Sequence, residues 1–447
     1  MKIKLIIFNL LISAVGFSQE TPQSFSLQEA IDYALENNRT VKNASRDVEA
    51  AKQQKWETIS TGLPQISASI DYNKWLKQQL ALIPAEFFGG NPGEFAEIAF
   101  GTKQSVNATI IVNQKLFDGS YLVGLQSAKV FLEISQNAKE KTDLEIRKGV
   151  INAYGNVLLA GESVTILERN IAVLQKNLDE TTKIYENGLE EEESVEQLQI
   201  TLSSVKSNLS NTSRLKTLAH QMFNITLGID LNTSTQLTDN LETLAAQNMV
   251  LSLLDASENI ENTIDYKIAV NDKVSKELLL KLEKSKALPT LDAFLNAAYD
   301  GYDDNFNFLQ KNQDWLGSSL LGVKMNIPIF SSLGRSAATQ RAKINLEKSK
   351  DDLTETEQQL KFQIVSAKSN YQFAIEEYQN KQQNLNLAER IELKNQTKFF
   401  EGIASSFELR QAQTQLYSSQ QEYLQAMLEV INKKAELETV LNEIPKN

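Results

Sequence analysis

Two long stretches of this chain contain no proline, residues 93–288 and 329–444. Its prolines fall elsewhere: Pro22, Pro64, Pro84 and Pro92 early, Pro289 and Pro328 close together, and Pro445 near the end. A proline inside a helix costs about 3 kcal/mol, so both clear stretches can carry very long helices. The rest of the composition removes whole classes of function. With no cysteine there is no disulfide framework, thiolate metal site, cysteine nucleophile or N-terminal lipoprotein anchor. A single histidine argues against a histidine-based metal site or a Ser-His-Asp triad. A net charge of -12 argues against a nucleic-acid partner.

The first residues, Met1-Lys2-Ile3-Lys4, are basic. An apolar run from Leu5 to Phe17 follows, broken by Asn9 and Ser13, and then Ser18-Gln19-Glu20. This pattern predicts a signal peptide over 1–19. The run is shorter than the 18 or more residues of a spanning helix, and no later stretch is apolar enough to span as one. An exported chain of this kind is either free outside the cytoplasm or crosses a membrane as β-strands, which leave only a weak alternating signal.

That signal is present, inside a chain that repeats itself. Gly62-Leu63-Pro64-Gln65 has a counterpart in Ala287-Leu288-Pro289-Thr290, and Leu116-Phe117-Asp118-Gly119 in Ile329-Phe330-Ser331-Ser332. Tyr185-Glu186-Asn187-Gly188-Leu189 has one in Phe399-Phe400-Glu401-Gly402-Ile403. The first repeat is longer between its proline and its Leu-Phe, in the loop that holds Pro84, Gly89, Gly90, Pro92 and Gly93. A repeat on this scale is a whole architectural unit rather than a solenoid module.

The first repeat is expected over 20–247, with a helix at 26–60, strands near 65–76 and 103–116, a long helix at 120–187 and a helix at 193–227. The second is expected over 248–447, with a helix at 250–286, strands near 289–301 and 316–329, a long helix at 335–400 and a helix at 406–442. Ser26-Leu27-Gln28-Glu29 is a capping box. The helix before Pro64 ends as the residue preceding a proline requires; Pro64, Pro289 and Pro328 mark helix–strand junctions. Leu167, Ile171, Leu174, Leu178, Thr181 and Tyr185 alternate four and three apart, a coiled-coil seam. A helix over 120–187 is roughly 100 Å long, about three times the hydrocarbon thickness of a bilayer. Gly188 and Gly402 close the two long helices.

In each expected strand apolar residues alternate with polar ones, as Ile66, Ala68, Ile70 and Tyr72 do with Ser67, Ser69, Asp71 and Asn73. Each is about ten residues long, the length of a tilted transmembrane strand. Aromatic residues such as Trp75, Phe100, Tyr302 and Trp315 gather at the loop ends, like an interfacial girdle. A soluble sandwich with one wet face has the same alternation; the leader and the girdle favour membrane strands. Four strands cannot close a barrel, and an open edge is not tolerated in lipid. Two copies give a filled eight-stranded barrel and three give twelve strands around a lumen. The small polar set Ser67, Ser69, Ser105 and Asn107 favours the lumen, and so a homotrimer.

The ordered set of Ser26-Leu27-Gln28-Glu29-Ala30-Ile31-Asp32-Tyr33-Ala34-Leu35, the Leu-Pro before a strand, Leu116-Phe117-Asp118-Gly119 after one, and the paired glycine turns resembles the TolC-type outer-membrane efflux proteins. The resemblance covers essentially all of the mature chain. It implies an α+β membrane protein: a trimeric twelve-stranded transmembrane β-barrel with four strands per chain, continued by a twelve-helix periplasmic α-barrel of coiled-coil hairpins. It also implies an exit duct in the cell outer membrane, in contact with its lipid and reaching into the periplasm. Its partners would be a periplasmic adaptor (membrane fusion) protein and an inner-membrane RND or ABC transporter. No cofactor, metal or catalytic residue is expected. One departure is Lys115 before Leu116-Phe117, where members often carry proline.

The same resemblance places the periplasmic aperture at the two glycine turns. The axial acidic positions of the family fall on Glu408, which keeps the acid, and Gln411, which does not. The basic latch position falls on Ala404, the aromatic one on Phe399 and their polar partners on Glu193 and Ser194, so the hydrogen-bonded latch of the family is depleted. The first turn carries Glu190, Glu191, Glu192 and Glu193 instead, which in a trimer would attract cations and repel anions; a solvated acidic helix start reads the same way. Gly188-Leu189 and Gly402-Ile403 are the expected adaptor contacts. The expected function is export of small molecules (drugs, toxic compounds or metals). A type I protein secretion duct and a soluble periplasmic coiled-coil scaffold are the alternatives.

Overall fold

The computed structural model describes residues 23–256 and 259–443; the expected signal peptide lies outside them. In chain order the elements are β1 (Gln23–Phe25), α1 (Leu27–Asn37), α2 (Arg39–Ser60), β2 (Gln65–Lys74), β3 (Leu80–Pro84), β4 (Phe95–Ala99), β5 (Gln104–Phe117), α3 (Gly119–Glu186) and α4 (Glu192–Leu227). Then follow β6 (Thr235–Leu237), α5 (Leu241–Gln247), α6 (Ile264–Ser285), β7 (Thr290–Asp303), β8 (Trp315–Asn326), α7 (Gly334–Phe400) and α8 (Ser406–Leu441). The fold is α+β. It divides into two units, one of residues up to Val48, 135–269 and from Leu353 on, the other of 49–134 and 270–352.

The second unit holds a four-stranded antiparallel sheet in the order β2-β5-β7-β8. Alternation along each strand becomes two faces across the sheet, because side chains in register share a side. Ile66, Val112, Leu295 and Leu321 line up in one row. Ser69, Thr109, Ala298 and Ser318 line up on the opposite face. The apolar face is bare: Ile66 is 72% exposed, Ile70 77% and Leu321 76%. On the polar face Asn107 Nδ2 donates to Asp300 Oδ1 at 2.6 Å. Among the described residues nothing pairs with the outer edges of β2 and β8.

Turns fixed by local hydrogen bonds join this sheet to its helices. After α2, Leu63 N donates to Ser60 O ahead of Pro64, and after α6, Leu288 N donates to Ser285 O ahead of Pro289. At Lys115 the strand leaves through a bulge against β7, and its ammonium pairs with Asp118 at 3.0 Å. Asp118 in turn accepts from Ser120 N at 2.8 Å and caps α3. At the other exit Arg335 Nη2 donates to the carbonyl of Pro328 at 3.0 Å.

The first unit is helical. Its core joins Ala30, Ile31 and Ala34 of α1, Val150 and Tyr154 of α3, Phe223 and Leu227 of α4, Ile364 and Tyr371 of α7, and Val430 and Leu437 of α8. The Val, Leu, Ile and Phe side chains among them each contribute about 1.5–3 kcal/mol when fully buried. The Tyr154 hydroxyl lies 2.7 Å from Asp239 and 3.0 Å from the carbonyl of Phe25, which ties α3 to the parallel ribbon of β1 and β6. Burial pushes the Tyr154 hydroxyl well above its usual range, and the Asp239 carboxylate adds to this. Nearby, Arg147 pairs with the buried Glu438 at 2.7 Å. A second cluster, Leu167, Leu174, Leu198, Leu202 and Val205, zips α3 to α4.

Two helices expected as continuous are not. The helix expected over 26–60 breaks at Asn38, whose Nδ2 donates to Thr226 O at 2.8 Å and whose Oδ1 accepts from Thr40 N at 2.7 Å. A side chain that bonds backbone in this way competes with the helix ladder. The helix expected over 250–286 begins only at Ile264, preceded by short 3₁₀ turns at Leu251–Asp255 and Ile260–Asn262. Here Tyr371 accepts from Val250 N at 2.8 Å and Lys368 donates to Ala256 O at 2.8 Å, taking backbone groups a helix would use. The ribbon of β3 and β4 was not expected.

Candidate functional site: the paired helical turns

The two turns between long helices are built alike. Gly188 and Gly402 both adopt φ of +73°. Leu189 N donates to Ile184 O at 3.1 Å and Gly188 N to Tyr185 O at 2.8 Å. In the second turn Ile403 N donates to Lys398 O at 2.8 Å and Gly402 N to Phe399 O at 3.0 Å. These are paired Schellman motifs, which satisfy the last carbonyls of each helix and need a left-handed residue after it. A Cβ at either glycine would meet nothing within 4 Å, so conformation and not crowding selects glycine. The residues that follow, Leu189 and Ile403, are 79% and 71% exposed. Each turn therefore ends in a rigid, uncovered apolar tip.

The helices that leave the turns start differently. α8 opens with a capping box: Ser405 N and Oγ donate to Glu408 Oε2 at 2.8 and 3.1 Å, and Glu408 N donates back to Ser405 Oγ. The Ser405 amide and hydroxyl hold the Glu408 carboxyl below the usual carboxylate range. α4 follows its N-cap residue Glu191, whose side chain makes no capping bond. There Ser194 Oγ donates to Glu190 at 2.7 Å and Gln197 Nε2 to Glu193 at 2.6 Å, while Glu192 and Glu193 occupy the first turn, where the helix dipole favours acids.

Of the residues singled out in the sequence, Ser194 and Phe399 are brought together, lining one narrow crevice with Leu198 and Leu409. Both are buried. Phe399 packs edge-on against Phe400 at 5.4 Å. Ala404 is half-buried and its N–H donates to Lys398 O at 3.2 Å, whereas Glu408 and Gln411 are exposed on α8. Sequence reading missed Ser405, although Ser405-Ser406-Phe407-Glu408 carries the same capping-box spacing as Ser26–Glu29. It also missed Phe407, 58% exposed beside the turn, with the Arg410 guanidinium over its ring at 5.4 Å.

Among the described residues no group of His, Cys, Asp or Glu is placed to hold a metal ion. No described helix is long and apolar enough to cross a membrane. A protein-family model described as outer membrane efflux protein matches residues 30–222 and 279–443. The fold is similar to that of CusC, a protein whose crystal structures concern transmembrane channel formation: TM-score 0.76, 18% identity, 95% of each chain covered. It is also similar to the outer membrane protein VceC of Vibrio cholerae (TM-score 0.72, 14% identity, 93% of this chain and 95% of that one). A further similar structure is the CmeC outer membrane channel of Campylobacter jejuni (TM-score 0.73, 16% identity, 96% of this chain and 90% of that one). No curated protein matches the chain.

Proposed function

The chain belongs to the outer membrane efflux protein family, the TolC family, and from that premise we propose that it forms the outer-membrane exit duct of a small-molecule export pump. The observation that carries this reading is the sheet: one bare apolar face, one polar face and two open edges. In lipid those edges must be paired. Even strand number lets β8 of one copy meet β2 of the next in antiparallel fashion, and three copies give twelve strands around a water-filled lumen lined by the polar face.

The work is passage, with no bond made or broken. An inner-membrane RND or ABC pump would supply the energy, and a periplasmic adaptor would join pump to duct. The glycine turns suit that junction, since Leu189 and Ile403 are apolar, exposed and held on stiff backbone. Glu190, Glu191, Glu192, Glu193 and Glu408 put five carboxylates per copy at the mouth, which would favour cations there.

The test is to purify the mature chain in detergent and reconstitute it in planar bilayers. A heat-sensitive trimer with a conducting pore is expected, and a stable monomer in detergent-free buffer would reject the duct. In a KCl gradient the reversal potential should show cation preference, reduced when Glu190–Glu193 are changed to Gln. An unchanged potential would remove the acidic mouth from the account and leave the duct.

A further inference from the structure

The ribbon of β3 and β4 lies between the end of β2 at Lys74 and the start of β5 at Gln104, at the end of the sheet away from its helices. β2 is the edge strand, so the ribbon rises where a neighbouring copy would join. Its backbone is well tied: the ladder runs from Leu80↔Ala99 to Pro84↔Phe95. Beyond it Ala85 N donates to Glu94 O and Gly90 N to Ala85 O, each at 2.8 Å. One face carries Leu80, Leu82 and Phe95, exposed, with Glu97 opposite Leu82; the other is apolar throughout, with Ile83 and Ile98 half-buried.

A bare two-stranded ribbon is marginal in water. Phe87, Phe88, Phe95 and Phe100 are 79%, 63%, 63% and 66% exposed. At 150–250 Å² per aromatic residue, they leave on the order of 400–700 Å² of uncovered surface, at or above the upper end of what a monomer shows. The loop between β7 and β8 also exposes Phe306 and Leu309, but buries one aromatic. There Phe308 is 5% exposed, edge-on to Tyr72 at 6.2 Å and to Phe306 at 5.7 Å. This sheet covers one loop aromatic from within the chain and leaves the ribbon's aromatics open.

Charge and symmetry decide what covers them. Residues 78–102 contain no lysine or arginine and three acids, Glu86, Glu94 and Glu97. An anionic lipid surface attracts basic segments and repels this one. A two-fold contact would cover one face of the ribbon. A ring of identical copies gives every subunit two different neighbours, one on each side. We propose that the ribbon docks between the ribbons of two neighbouring copies of this chain, one face against each, and so narrows the outer end of the duct. The inference rests on the assembly proposed above.

The absence of cysteine makes the test clean. Leu82→Cys and Ile98→Cys lie on opposite faces of one ribbon, so together they cannot bridge within a chain. Oxidation of the double variant should give a ladder of covalent dimer and trimer on non-reducing gels, with each single variant free of trimer. Oxidised channels should conduct less, with recovery on adding dithiothreitol. A heat-sensitive trimer that yields no ladder would overturn the docking and leave the duct intact; the absence of any oligomer would reject the duct itself. Strong quenching by brominated lipid of a fluorophore on Leu82→Cys would place the ribbon in lipid and also overturn the proposal.

Discussion

Gly188 and Gly402 stand in left-handed backbone with open space around them, so their two roles can be separated by substitution. Alanine at either site pays only for conformation, about 1–2 kcal/mol, spent in fraying one turn. Asparagine tolerates the conformation and costs less. Tryptophan adds bulk over Leu189 or Ile403. If the turns dock an adaptor, Gly188→Trp and Gly402→Trp abolish drug resistance in a complementation assay while trimer levels hold, and the Ala and Asn variants keep it. Full resistance in both Trp variants would reject docking. Glu408 makes a separate residue-scale prediction. Its folded pKa is depressed by Ser405, so the cap contributes stability above the unfolded carboxylate range, about 4.3, and loses it as pH falls through the lower folded value. The protection factors of the amides at the start of α8 (exchange rates divided by the intrinsic rate at each pH) should fall below about pH 4 and stay flat between neutral and mildly basic pH.

At the scale of elements, the first hairpin is zipped by leucine, and the seam between hairpins adds side-chain amides to its apolar contacts. Leu174 is fully buried among Leu167, Leu198 and Leu202, and Leu174→Ala should cost about 2–5 kcal/mol in thermal unfolding. Between hairpins, Asn170 Nδ2 meets Gln420 Oε1 at 2.9 Å and Gln396 Nε2 meets Asn177 Oδ1 at 3.1 Å. Thr181 is fully buried and its hydroxyl has no partner. An orphaned buried hydroxyl costs about 1–3 kcal/mol, so Thr181→Val, which keeps the shape, should raise the melting temperature; a lower one would mean the hydroxyl is bonded in solution. Thr181 was readable in the sequence as a seam position, because heptad spacing is local, and so were Gly188 and the alternation of Ile66–Tyr72. The break at Asn38 was not readable, since its cause is Thr226, far along the chain. Nor was the pairing of β1 with β6, three residues each and joined only by the fold. The ribbon of β3 and β4 left no alternation to read, because Leu80–Pro84 holds no polar residue and Phe95–Ala99 only Glu97.

For the whole molecule the proposed duct turns on which face of the sheet would meet lipid, and two adjacent residues test it. Leu320 and Leu321 of β8 are both exposed leucines, 58% and 76%, of equal size and one residue apart. Register puts Leu321 in the row of Leu295, Val112 and Ile66, and Leu320 in the row of Asn296, Ile111 and Ser67 on the other side. Composition cannot tell them apart; only the period of two does. In a barrel, arginine on the lipid face costs about 2–4 kcal/mol near the midplane, while a lumen charge is solvated and tunes selectivity. Counted over three copies, Leu321→Arg loses on the order of 6–12 kcal/mol per trimer and should remove the heat-sensitive trimer from outer-membrane fractions. Leu320→Arg should assemble normally and move the reversal potential towards anions. If the two variants behaved alike, the sheet would have no lipid side, and the soluble scaffold would be the better account of the same strands.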